Sequence, residues 1–165
     1  MPIKRILVPV DFSAPSLQAL EYAIEFGKPF KAQLVVLFVV DLTVAIAPMD
    51  MYGAGAETAM VQAEQQRGGR EQLARLSADL KKRRLAFRSV LQMGSPSPVI
   101  VDTAKKLKAD LIVMGTHGRT GLSHVLLGSV AERVVRTASC AVLTVRGYQP
   151  PRRAARRTTP RKARR

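Results

Sequence analysis

Five runs of apolar residues, separated by amphipathic stretches, set the rhythm of the chain. "IKRILVPV" (3–10) is apolar and β-branched toward its end and reads as a buried strand. Asp11 and Ser13 follow, with Ser13 suited to cap a helix over "APSLQALEYAIEF". In that helix Leu17, Leu20, Ala23 and Ile24 are expected on one inward face, with Gly27 and Pro29 closing it. "AQLVVLFVV" (32–40) is a second continuous apolar strand. A loop rich in Met, Ala and Gly runs from Asp41 to about Ala56, and a long helix is expected over 57–84. The glycine pair Gly68-Gly69 predicts a break or kink in it, and "KKRR" ends it.

"AFRSVLQM" (86–93) alternates and reads as a half-exposed third strand. "GSPSP" (94–98) leads into the helix "VIVDTAKKLK", and "ADLIVMG" (109–115) is a fourth buried strand. After a glycine-bearing loop, "SVAERVVRTA" predicts a helix and "CAVLTVR" (140–146) a fifth strand. Continuous apolar strands alternating with amphipathic helices predict an α/β doubly wound domain, Rossmann-like, with helices on both faces of a five-stranded parallel sheet. A plausible strand order is 3-2-1-4-5, which makes strands 1 and 4 neighbours where the winding reverses.

Charge changes this picture at one end. The chain of 165 residues carries a net charge of +15, but "QPPRRAARRTTPRKARR" (149–165) holds eight Lys/Arg and no acid. That stretch has three prolines and no apolar periodicity, so 1–148 is expected to be the folded domain and 149–165 a disordered basic tail. The longest apolar run, Leu34 to Val40, is far short of the roughly 20 residues that span a bilayer. The first apolar run meets Asp11 with no small-residue cleavage site, which argues against a secretory leader. A single cysteine, Cys140, excludes an internal disulfide and fits a reducing cytoplasm, and it reads as a small buried hydrophobe. Cys140, His117 and His124 lack a recognised metal-ligand spacing.

In an open α/β sheet the ligand site lies outside the carboxyl ends of the strands at the reversal. With the expected order, Pro9, Val10, Asp11 and Ser13 leave strand 1 facing Met114, Gly115 and Gly118, which leave strand 4; Asp41 leaves strand 2 at the same rim. No glycine fingerprint follows strand 1, and the chain has no P-loop string. The loop "GTHGRTGLSHVLLGS" instead gives Gly115-x2-Gly118-x9-Gly128-Ser129. Gly115 and Gly118 permit close backbone approach, and Gly128-Ser129 opens a helix whose free N–H groups attract an anion. Each feature also has a plainer reading. Glycines serve turns, Asp11 suits a helix start, and Gly121 falls outside the spacing. His117 and His124 have no sequence partner that would make either a general base, and a loop arginine such as Arg119 is as often only solvated. The methionines at 49, 51 and 60 read as packing residues.

That glycine spacing, between "DLIVMG" and "SVAERVV", resembles the nucleotide-binding signature of the universal stress protein family. "KRILVPVDFS", "VVLFVVD" and "CAVLTVR" are similar to that family too, so the resemblance covers about residues 2 to 147. It implies membership of the ATP-binding subgroup, with Mg2+ accompanying ATP, and a homodimer paired through the last strand, Ala141 to Arg146. It further implies that Pro9, Val10 and Asp11 border the nucleoside and that the backbone of Val39 lies against the base. Met114, Gly115 and Gly118 would line ribose and phosphates, with His117 and Arg119 beside them, while Gly128, Ser129 and Val130 would hold the phosphates. The function implied is regulation or stress survival through occupancy, ATP ordering the 116–127 and 41–56 loops. Two readings compete. A slow ATPase or phosphotransferase lacks a Walker lysine, paired metal carboxylates and an assembled base. A nucleic-acid-associated or acidic-partner role would rest on the tail, which has cations but no aromatic residue beyond Tyr148 for stacking.

Overall fold

The computed structural model describes residues 2–41, 54–116 and 127–146, without the side chains of 54–58. The elements run β1 (Arg5–Val10), α1 (Ala14–Gly27), a 3-10 turn (Lys28–Phe30), β2 (Gln33–Val40) and α2 (Ala54–Lys82). They continue with β3 (Phe87–Met93), α3 (Pro96–Leu107), β4 (Leu111–Gly115), α4 (Ser129–Thr137) and β5 (Ala141–Val145). The sheet is five-stranded and parallel throughout, in the order β3-β2-β1-β4-β5. The expected topology is therefore the observed one. The tail 149–165, most of the 41–56 loop with Met49 and Met51, and His117 to His124 lie outside the described residues.

Alternation along each strand sorts the core into two layers. Ile6, Val8 and Val10 of β1, with Leu34, Val36, Phe38 and Val40 of β2, meet Leu20 and Ile24 of α1 and Leu73 and Leu80 of α2. Leu7, Val35, Leu37, Ile112 and Met114 point the other way, onto Ile100 and Ala104 of α3 and Ala131 and Val134 of α4. Two helices thus cover each face, as the reversal between β1 and β4 requires. On α1 the inward face is Ser16, Ala19, Leu20, Ala23, Ile24 and Gly27. Leu17, expected there, is 37% exposed; the stripe is set by Ser16 and Ala19, small residues that let the helix sit close to the sheet. β3 is the half-exposed edge that its alternation predicts.

Helix α2 corrects one expectation. It runs from Ala54 to Lys82 without a break at Gly68-Gly69. Gly69 is buried, and a Cβ there would collide with Cε1 of Phe38 and lie 3.0 Å from its Cδ1. Its lack of a side chain admits the Phe38 ring against the helix.

Candidate functional site

The crevice starts from one imino acid. The Gln33 N–H donates to the carbonyl of Lys4 (2.8 Å), so residue 4 faces β2; the Asp110 N–H donates to the carbonyl of Arg5 (3.0 Å), so residue 5 faces the β4 side. Strand alternation then places residue 9 on the β4 side as well. Residue 9 is proline, which has no N–H to give. The ladder to β2 accordingly continues through Pro9–Leu37 to Val10–Phe38, whereas that to β4 pairs Ile6–Leu111 and Leu7–Ile112. Beyond those pairs the carboxyl halves of β1 and β4 run on without such bridges, and it is there, where the winding reverses, that an open α/β sheet has its crevice.

One wall of the crevice is the turn from β1 to α1. The Asp11 carboxylate accepts from the Ser13 N–H (3.1 Å) and from the Ser13 hydroxyl (2.5 Å). The Ser16 hydroxyl donates to the Ser13 carbonyl (3.0 Å) and accepts from the Asp11 N–H (3.3 Å). Ser13 caps α1 as its sequence predicts, its hydroxyl accepting from the Ser16 N–H. Between them Phe12 sits at φ 63°, a left-handed conformation costly for a bulky side chain. It turns the ring onto Phe38, with centroids 4.9 Å apart. Packing of the two rings holds the turn, and the turn holds Asp11 half-buried at the rim. Phe12 was not anticipated; no local propensity marks a phenylalanine for that conformation.

The other wall joins β4 to α4. Thr116, buried, donates its N–H to Val145 of β5 (2.9 Å), and its carbonyl accepts from Gly128 (2.7 Å). The two ends of the glycine-bearing loop are thereby tied together at the mouth of the crevice. Gly128 is the N-cap of α4 in extended conformation, without a side-chain capping bond, and the Glu132 N–H donates to its carbonyl (2.9 Å). The amides of Ser129, Val130 and Ala131 form the first turn of α4, where no intrahelical acceptor exists. Ser129 is exposed there and Val130 half-buried. Thr116 is the second residue that sequence reading missed, since its role lies in main-chain atoms.

Among the anticipated residues, Pro9, Val10 and Met114 have buried side chains, so what they present at the rim is backbone. Gly115 ends β4, and Val39, half-buried near the end of β2, packs toward the α3/α4 layer. Asp41 leaves β2 half-buried beside it. His117, Gly118 and Arg119 lie outside the described residues. Cys140 is half-buried rather than fully buried, and burial and the Asp110 carboxylate push its thiol up from the ordinary range. Among the described residues no three His, Cys, Asp or Glu side chains gather as a metal cluster, and no helix is long and apolar enough to cross a membrane.

The profile of the universal stress protein family matches residues 2–146. The chain belongs to the universal stress protein family. Universal stress protein MJ0531 of Methanocaldococcus jannaschii is 38% identical over 143 residues, covering 87% of this chain and 82% of that protein. Among solved structures, hypothetical protein MJ0577 of the same organism superposes with a TM-score of 0.81 at 25% identity, covering 91% of this chain and 100% of that one. A universal stress protein in complex with cAMP has the same fold, with a TM-score of 0.57 at 23% identity and coverage of 90% and 100%.

Proposed function

We propose that this universal stress protein binds ATP in the β1/β4 crevice and acts through occupancy as a regulatory or stress-survival factor. One observation supports the reading: the Gly128-to-Thr116 hydrogen bond joins the two ends of a segment of nucleotide-signature spacing at the carboxyl end of β4, beside the stretch where β1 and β4 run on without bridges. In this reading the base lies against the Val39 backbone. Pro9, Val10 and Asp11 border the nucleoside, while Met114, Gly115, His117, Gly118 and Arg119 line ribose and phosphates. Gly128, Ser129 and Val130 hold the phosphates at the α4 N-terminus, where orphan amides and the helix dipole favour negative charge. Mg2+ would arrive on the phosphates and supply charge neutralisation. Asp11, engaged with Ser13, suits a ribose contact better than a base. The cAMP complex belongs to a relative whose likeness speaks for the fold alone; support for this chain comes from its own spacing and geometry.

The protein acts in the cytoplasm as a homodimer paired through β5, whose outer residues Ala141 and Leu143 are exposed. ATP changes the 116–127 segment and, through it, dimer geometry or partner choice. Mass spectrometry of nucleotide that co-purifies, followed by calorimetric titration of ATP into wild type and Gly118→Asp, tests the site. ATP recovered from the wild type, with binding heat lost in the variant, is the expected result. No nucleotide and no heat from the wild type would sink it. Hydrogen exchange in 116–127 is expected to slow on ATP saturation; unchanged exchange removes the occupancy mechanism and leaves binding alone.

A further inference from the structure

The amino ends of the strands, opposite the crevice, gather positive charge on one face of the sheet. Leu7, Val35 and Val90 belong to the layer under α3 and α4. Strand alternation turns Arg5, Gln33 and Arg88, each two residues earlier, to that same face. The register fixes how they stand: Arg5 lies opposite Gln33, and Arg88 lies opposite Val35. The two arginines therefore flank β2, two strand spacings or about 10 Å apart, within reach of two long side chains.

Lys106, near the end of α3, joins them. Arg5, Arg88, Lys106 and Gln33 line one cleft of about 270 Å³, with Val35 and Leu107 as its other lining residues. No carboxylate is among these. Asp110, close to Arg5, turns its carboxylate to the backbone amides of Lys4 and Arg5 instead. Among the described residues, Arg88 and Lys106 have no ion-pair partner, and the Gln33 carboxamide has no hydrogen bond. Arg5 gives one N–H to the Leu107 carbonyl (2.6 Å), which anchors its guanidinium at the α3 end and leaves its other donors unspent. That bond also covers a carbonyl of the helix terminus, whose negative end would otherwise repel an anion.

Local causes explain these cations one at a time. A lysine in the last turn of α3 suits the helix dipole, and an inward charge on β3 guards an edge strand. Neither cause brings two strand arginines and a helix lysine round one cleft without an acid.

We propose that this cleft binds a small molecule carrying a phosphomonoester. Forked guanidiniums on either side of β2 offer paired donors from two directions, Lys106 adds a point charge, and Gln33 adds a neutral donor. A carboxylate has two oxygens and one charge to set against them, whereas a phosphomonoester has three terminal oxygens and nearly two charges. The site lies at the other end of the sheet from the crevice and is independent of the proposed ATP function.

The test follows the backbone amides of the full, isotope-labelled chain by NMR as phenyl phosphate is added at neutral pH. Shifts are expected to gather at Arg5, Gln33, Arg88 and Lys106. Phenyl sulfate, of the same shape with a single charge, is expected to bind at least about tenfold more weakly, the worth of one charge-assisted contact. Arg88→Gln/Lys106→Gln is expected to raise the dissociation constant for phenyl phosphate at least about tenfold. Neither side chain has an ion pair to lose, so the melting temperature should hold. Arg88→Lys keeps the charge but loses the fork, and its affinity is expected to fall between the two. Shifts confined to the crevice, or to the cleft that Lys28, Lys31 and Arg84 line on the opposite face, overturn the proposal. So does a folded double variant that binds like wild type, and so does equal affinity for phenyl sulfate. If the double variant unfolds, the wild-type shifts and the sulfate comparison decide alone.

Discussion

Two adjacent glycines in α2 have opposite meanings. Gly68 meets nothing within 4 Å of a built Cβ, so Gly68→Ala replaces a poor helix former in open space. A gain of up to about 1 kcal/mol is expected from urea denaturation. Gly69→Ala drives a methyl into Phe38, a ring packed in the core and under Phe12. It is expected to destabilise by about 1–3 kcal/mol, less the helix-propensity gain. Equal effects of the two substitutions would contradict the packing described. From sequence the pair looked like a helix break, because the partner that makes Gly69 useful lies in β2, about thirty residues away. Phe12 was illegible for a related reason. Its left-handed backbone is stabilised by a ring in another strand, and nothing in "VDFSA" announces it.

Among elements, the strands and their order were legible because each central strand is a continuous apolar run and each connection an amphipathic helix. The glycine spacing located the loop, and Ser13 located the α1 cap. The strand order gave the place of the crevice, but not that residue 9 turns its missing donor toward β4, which only the register reveals. The amino ends of β1 and β4 are fastened by Asp110, whose carboxylate accepts from the amides of Lys4 (2.7 Å) and Arg5 (2.9 Å). Those two bonds hold Asp110 below the usual carboxylate range. The sign follows from a depressed folded pKa. The contribution is present above the unfolded value, about 3.9, and is lost as pH falls through the lower folded value. Asp110→Asn is therefore expected to lower the melting temperature at pH 7, and the gap to wild type should close below about pH 4. A gap that persists undiminished in acid means the loss is steric and not electrostatic. The exposed Glu21–Arg83 pair follows the same sign, held down by its guanidinium, but exposure leaves it little weight in stability.

At the scale of the molecule, β5 is an edge strand with Leu143 37% exposed, and the proposed dimer would cover it. Leu143→Arg is expected to shift the protein toward monomer in sedimentation equilibrium while leaving the circular dichroism spectrum intact; a variant that remains as associated as wild type places the interface elsewhere. Thr116 gives that experiment a wider reach. It holds β5 with its N–H and the start of α4 with its carbonyl, so the strand that would meet a second copy and the loop that would meet a nucleotide hang from one buried residue. Linkage then makes the two associations reciprocal: whatever affinity ATP gains from pairing, pairing gains from ATP. In the proposed dimer, a coupling through Thr116 that favours ATP would make nucleotide affinity fall as the protein is diluted, with no change in ATP.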